Sequence, residues 1–220
     1  MSVGALLLCA GRGARLGRAQ EKALVPAAGK ALFVWSLETL ERVPAVDCIV
    51  LVGPVSKLKG ALSADHEGKI AAVVDGGRER QDSVAAGLRA LPERCRHVAV
   101  HDSARPLVSA ELVARVIADG LEHGAAVPAV PLPDTLKRAT LHTVDATIPR
   151  AGLGCAQTPQ VFRRDWLEDA HAQAQGKATD DAALVEALGH AVHLTEGDAV
   201  NFKVTTARDL ELAEAWLRRG

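Results

Sequence analysis

The stretch Val3-Gly-Ala-Leu-Leu-Leu-Cys9 is an almost unbroken apolar run, and Ala10-Gly-Arg-Gly-Ala-Arg-Leu-Gly17 follows it directly. A run this short that empties into a glycine-rich loop predicts a strand buried on both faces of a parallel sheet. The same rhythm continues outward from it. Phe33, Leu37 and Leu40 stand at helical spacing before Pro44, and residues 48–52 form a second apolar run closed by Gly53-Pro54. Residues 57–69 are polar and irregular. Ile70–Val74 is a third run, followed by the helical stripe Val84, Leu88 and Leu91. Residues 97–101 predict a fourth strand, Ser109 is placed to cap a helix reaching His123, and residues 125–130 predict a fifth strand. Strand–helix alternation of this kind predicts right-handed βαβ units. The fold class is α/β: a Rossmann-like, mostly parallel sheet with helices on both faces.

After Val130 the rhythm changes. Pro131, Pro133 and Pro149 interrupt a stretch without helical period, residues 144–148 alternate, and residues 135–137 can pair with them. We read 132–155 as a projecting β-arm on a single domain spanning 1–220. Two helices (163–175 and 179–188) follow, then a strand near 202–205. A last helix is capped by Thr206, with Asp209 in its first turn.

Composition narrows the function. The 220 residues carry a net charge of −1, so there is no global basic field for a nucleic-acid backbone. No apolar run has the length of a membrane span, and the N-terminal run is too short for a secretory signal and lacks a basic flank. A cytoplasmic protein is expected. Cys9, Cys48, Cys95 and Cys155 form no CxxC pair or zinc spacing and read mainly as small buried hydrophobes. With no Tyr, three Phe and three Trp, a base pocket must rely on backbone and small side chains.

In parallel sheets ligands sit at the carboxyl ends of the strands, so the loops there carry the chemistry. In the first loop Ala10, Gly11 and Gly13 let backbone N–H groups approach phosphate oxygens, while Arg15 and Lys22 add compensating charge. A dinucleotide fingerprint fails, because Leu16 stands where its third Gly belongs, and no Walker GK[ST] ending is present. In the third loop Gly77 and Arg78 bare the backbone toward a base edge, and Ser83 can hydrogen-bond. In the fourth, Asp102 is a single carboxylate of the kind Mg²⁺ takes beside phosphate oxygens. His101 reads as a structural imidazole, not a base. Lys203, inside a short apolar stretch, either snorkels or faces an anionic site.

The ordered blocks AGRGARLG with EKAL, DGGRERQDSV, VHDSARP, PDTLK, AQTPQVF, TDDAALVE and NFKVT span nearly the whole chain. Together they resemble the 2-C-methyl-D-erythritol 4-phosphate cytidylyltransferases of the non-mevalonate isoprenoid pathway. The resemblance implies a homodimer in which the arm swaps across subunits. It implies that Arg15 and Lys22 stabilise the transition state and that Gly77, Arg78 and Ser83 recognise cytosine. It implies further that Asp102 lies near Mg²⁺ and substrate, that Arg105, Thr158 and Lys203 surround the methylerythritol phosphate, and that Thr135 and Arg150 reach the neighbouring subunit's substrate. Some members have Asp where this chain has Val200, so Asp102 is expected to be the main carboxylate near the metal; Ser103 replaces a common Ala.

The implied reaction moves CMP from CTP to 2-C-methyl-D-erythritol 4-phosphate, giving 4-diphosphocytidyl-2-C-methyl-D-erythritol and pyrophosphate. The attacking phosphate is already anionic, so no general base is required, and catalysis comes from positioning and placed cations. Lys203 and Arg150 would hold the attacking phosphate against its repulsion from CTP. The alternatives are a cytidylyltransferase for another polyol phosphate, such as ribitol 5-phosphate, and an inactive nucleotide-binding regulatory module. Arg15, Lys22 and Asp102 argue against the second.

Overall fold

The computed structural model describes residues 2–11, 21–63, 66 and 68–219. In chain order β1 (Val3–Leu8) is followed by a 3₁₀ turn, Lys22–Leu24, and a small ribbon of β2 (Pro26–Ala27) and β3 (Lys30–Ala31). Then come α1 (Leu32–Arg42), β4 (Val46–Val52), α2 (Val55–Ala61), β5 (Ile70–Val74), α3 (Arg80–Ala90), β6 (His97–Asp102), α4 (Ala110–His123) and β7 (Ala125–Pro131). A hairpin of β8 (Leu136–Thr140) and β9 (Thr143–Ile148) leads to β10 (Gly154–Ala156), β11 (Gln160–Arg163), α5 (Arg164–Gln173), α6 (Asp181–Ala187), β12 (His193–Glu196) and α7 (Ala207–Leu217).

The opening run behaves as a central strand. β1 is buried throughout and pairs in parallel with β4 on one side and β6 on the other, and β5 extends the sheet beyond β4. Its alternate residues feed two cores. Ala5 and Leu7 join Phe33, Leu37, Leu112 and Ile117 beneath α1 and α4. Leu6 and Leu8 join Val84, Leu88, Phe162 and Leu167 beneath α3 and α5. Cutting fully buried Phe33 or Phe162 to Ala costs about 3–5 kcal/mol on the usual scale. Ser109 caps α4 by accepting from Leu112 N, and Thr206 with Asp209 forms a capping box on α7, both at the positions the sequence indicates.

Four features differ from the sequence reading. Residues 57–69 do not form one irregular stretch, because α2 occupies its start; Leu58 is that helix's one buried residue, too little to show a period. A strand absent from the sequence reading lies between the fourth and the fifth. β11 inserts antiparallel between β6 and β7, so the sheet is mixed at that side. No strand forms near 202–205, where a single backbone bond, Val204 N to Ala104 O at 2.8 Å, ties an extended segment down. The strand is instead β12, parallel to β7. Its pattern is inverted: Leu194 faces solvent and Thr195 is buried, its hydroxyl donating to Asp119. Apolar spacing cannot reveal such a strand.

Within 132–155, β8 and β9 pair with each other as a separate two-stranded sheet. Leu141 at its tip is 93% exposed.

Candidate active site

The carboxyl ends of β1, β5 and β6 meet at a cavity of about 560 Å³ lined by Ala10, Gly11, Lys22, Gly77, Arg78, Ser83, Asp102 and Lys203, among others. Close backbone approach creates it. A Cβ on Gly76 would overlap Ala10, and one on Gly77 would overlap Asp82. The loop that follows them is locked by its own hydrogen bonds. Gly77 N donates to Ser83 Oγ at 3.0 Å, Ser83 Oγ donates to the Glu79 carbonyl at 3.2 Å, and Glu79 N donates to Asp82 at 3.0 Å. Ser83 is therefore buried and engaged within the loop as well as lining the cavity. Lys22 opens the 3₁₀ turn, its N–H donating to the Gly11 carbonyl at 3.1 Å, which brings the lysine back to the first loop. Gly13 and Arg15 lie outside the described residues.

Asp102, the last residue of β6, sits at the centre. Its Oδ1 accepts from Arg80 Nε at 3.2 Å and its Oδ2 from Lys203 Nζ at 2.6 Å. Its backbone N–H donates to Thr158 Oγ1 at 3.1 Å. Burial opposes the carboxylate charge, but Arg80 and then Lys203 outweigh it and hold the pKa well below the usual carboxylate range. The neighbouring His101 is neutral. Burial, the leading cause, pushes its pKa down to about 4. Its Nε2 lies 3.3 Å from the Arg105 carbonyl, which can only accept; the proton is therefore on Nε2, and Nδ1 accepts from Thr158 Oγ1 at 3.0 Å. A ring held this way is structural, as the sequence suggested.

A second cavity of about 280 Å³ adjoins the first and is lined by Arg80, Asp102, Arg105, Thr158, Gln160, Asp180 and Lys203, among others. Of the residues assigned from sequence to the nucleotide, Ala10, Gly11, Gly77, Arg78 and Ser83 line the first cavity; of those assigned to the acceptor, Arg105 and Thr158 line the second, and Asp102 and Lys203 line both. Arg105 is engaged with backbone, donating to the Asn201 carbonyl at 2.7 Å and the Ala156 carbonyl at 3.2 Å. Thr135 and Arg150 are not part of this group. Arg150 lines a third cavity with Leu132, Leu153 and Leu194, and its guanidinium donates to the Leu132 and Pro133 carbonyls. Thr135 is exposed immediately before β8.

Sequence reasoning missed Arg80 and Asp181. Arg80 Nη1 donates to Asp181 Oδ2 at 2.6 Å, and Asp181 Oδ1 lies 2.9 Å from His171 Nε2. A signal was present: Arg80 is the first residue of α3, where the helix dipole disfavours a cation, and such a placement calls for a nearby carboxylate. Its partner 101 positions away was not legible.

Among the described residues no group of three or more His, Cys, Asp or Glu could hold a metal ion. Asp102 is the single carboxylate lining both cavities' shared wall, already balanced by Arg80 and Lys203. This donor set does not make a self-sufficient metal cage. It fits a hard cation that arrives on phosphate oxygens, keeps its waters and adds one carboxylate.

Adjoining cavities that share a carboxylate and an ammonium suit a reaction between two phosphate-bearing molecules. With Ala10, Gly11 and Gly77 lining the larger one, the class is that of the nucleotidyltransferases. Comparison with known proteins narrows the class. The sequence profile of 2-C-methyl-D-erythritol 4-phosphate cytidylyltransferase matches residues 3–219. The proteins of that name from Nocardia farcinica and Frankia casuarinae are 42% and 45% identical; each alignment covers 99% of this chain, with 95% and 82% of the relative. The crystal structure of the Thermus thermophilus cytidylyltransferase superposes with a TM-score of 0.82 at 39% identity, covering 99% of this chain and 100% of that one. The chain belongs to the 2-C-methyl-D-erythritol 4-phosphate cytidylyltransferase family.

Proposed function

We propose that the chain transfers CMP from CTP to 2-C-methyl-D-erythritol 4-phosphate. A phosphate oxygen of the acceptor attacks the α-phosphorus of CTP, the bond to the β-phosphate breaks, and pyrophosphate leaves. The observation that supports this reading is the pair of cavities joined at Asp102 and Lys203, one lined by Ala10, Gly11, Gly77, Arg78 and Ser83 and the other by Arg105 and Thr158. The loop after β5 holds the base, with Gly77, Arg78 and Ser83 shaping its pocket. Ala10, Gly11 and Gly13 approach the triphosphate, and Arg15 and Lys22 meet the charge that develops on it. Lys203, Arg105 and Thr158 orient the acceptor. Asp102 would be the protein's ligand to a Mg²⁺ ion bound with the triphosphate, and that ion would supply further charge neutralisation.

The arm completes the site from a partner. Thr135 and Arg150 stand apart from both cavities, and Arg150's fork of donors suits a phosphate. In the proposed symmetric homodimer each arm serves the other subunit's acceptor. An enzyme consuming CTP and a phosphorylated polyol belongs in the cytoplasm, and no helix among the described residues is long and apolar enough to cross a membrane.

Pyrophosphate release on mixing the protein with CTP, Mg²⁺ and either methylerythritol phosphate or ribitol 5-phosphate tests the reading. Turnover at least tenfold faster with the first is expected. Preference for the second would favour another polyol phosphate, and CTP binding without pyrophosphate release would favour a regulatory module.

A further inference from the structure

Two cations hold Asp102, and they differ in kind. Lys203 reaches Oδ2 on a flexible stem whose side chain is 40% exposed. Arg80 reaches Oδ1 through Nε while its Nη1 is clamped by Asp181, which is 1% exposed and is held in turn by His171. The remaining nitrogen, Arg80 Nη2, is buried without a hydrogen-bond partner. A planar guanidinium fixed between two carboxylates cannot leave; an ammonium on a half-exposed stem can. All three residues, Arg80, Asp102 and Lys203, line both cavities.

We propose that Arg80 is a positioning residue for the transfer: clamped by Asp181, it balances Asp102 permanently and so leaves Lys203 able to exchange Asp102 for the acceptor's phosphate. The proposal rests on the reaction proposed above. A buried carboxylate must keep a cation. With Arg80 present that cation is fixed, and Lys203 is spare. Without Arg80, Lys203 is the one cation left on the Asp102 carboxylate among the described residues and is withheld from the acceptor. Arg80 thereby acts on the acceptor through Lys203.

The test is a double-mutant cycle on the full chain with Arg80→Gln, Lys203→Ala and the pair. Acceptor affinity is read twice, as KM in turnover and as the calorimetric Kd for methylerythritol phosphate without CTP; the Kd for CTP is measured separately. Each single variant should raise the acceptor constants about tenfold or more, the scale of one charge-assisted hydrogen bond. The pair should be no worse than the weaker single variant by more than about threefold, since Lys203 is already withheld in Arg80→Gln. The CTP Kd should stay within about twofold of wild type. Effects that multiply in the pair, or an Arg80→Gln variant with unchanged acceptor affinity, would overturn the proposal. Should Arg80→Gln not fold, Arg80→Gln with Asp181→Asn removes the buried cation and anion together and carries the same expectations. A wild type without pyrophosphate release would refute the reaction itself, while the calorimetric cycle would still decide the role of Arg80.

Discussion

The ion cluster at the sheet's carboxyl edge and the arm at 132–155 solve opposite problems. In the first, Lys203, Asp102, Arg80, Asp181 and His171 come from five separate segments and meet partners within the same chain. In the second, β8 and β9 pair only as a hairpin, Leu141 and Val144 are 93% and 57% exposed, and Arg150 donates to its own arm's carbonyls. A large sheet can gather distant charges and bury them. A two-stranded hairpin has no second layer and cannot bury a face of its own. The body thus gathers this charged cluster within one chain, and the arm's use against another surface is what the proposed dimer supplies.

The most severe way to break the body's half of this comparison is Lys22→Ala. It should lower kcat by about 10²–10³, the usual scale for one preorganised charge-stabilising donor, with the melting temperature little changed. Near-native turnover in a stopped pyrophosphate assay would remove Lys22 from the catalytic set.

On the arm, Arg150→Ala should raise the acceptor KM by about tenfold or more, lower kcat, and leave CTP affinity nearly intact. Mixing these subunits with Lys22→Ala subunits sharpens the point. In a mixed dimer one site collects both defects and the other neither, so activity should recover toward half the wild-type value. No recovery, with mixed dimers verified by native mass spectrometry, would mean that Arg150 does not act across subunits.

A milder probe lies just beyond Lys203. Asp209 accepts from Thr205 N at 2.8 Å and Thr206 N at 2.8 Å, pinning the segment that carries the lysine to α7. Burial opposes its charge, but the Thr205 and Thr206 hydrogen bonds win and bring its pKa to about 2. The folded state thus binds fewer protons than the unfolded state just above that value, so the contribution is present at neutral pH and fades as pH falls toward 2. Asp209→Asn should cost about 1 kcal/mol at pH 7, and its deficit against wild type should shrink between pH 4 and pH 2. Urea melts at pH 7 and near pH 3 measure this; a deficit that grows on acidification would reverse the assignment.

The smallest effect is expected at the hairpin tip. Leu141→Ser should change the unfolding free energy of dilute protein by less than about 0.5 kcal/mol. A urea-melt loss above about 2 kcal/mol would show that the tip belongs to the body's core.

Much of the body was legible because its signals are local. The apolar run of β1, the stripe of α1 and the caps Ser109 and Thr206 each depend on residues within about four positions, and each appears where expected. The rule for parallel sheets singled out the loops after β1, β5, β6 and β7; residues after the first three line the larger cavity, and the segment after β7 leads into the arm instead. The strand near 202–205 failed for a related reason: an apolar run predicts burial, and burial of Val204 beneath α7 needed no strand.

What the amino-acid sequence determined by itself, then, is the alternation of elements, their caps and the glycine loops that must lie at strand ends, because sterics and hydrogen bonds between near neighbours dictate them. Tertiary structure alone decided the insertion of β11 between β6 and β7, the inverted edge strand β12, and the union of Arg80 with Asp102 and Asp181. Those choices pair groups 22 to 101 positions apart, and only packing of the whole sheet selects one partner for a buried charge over the others.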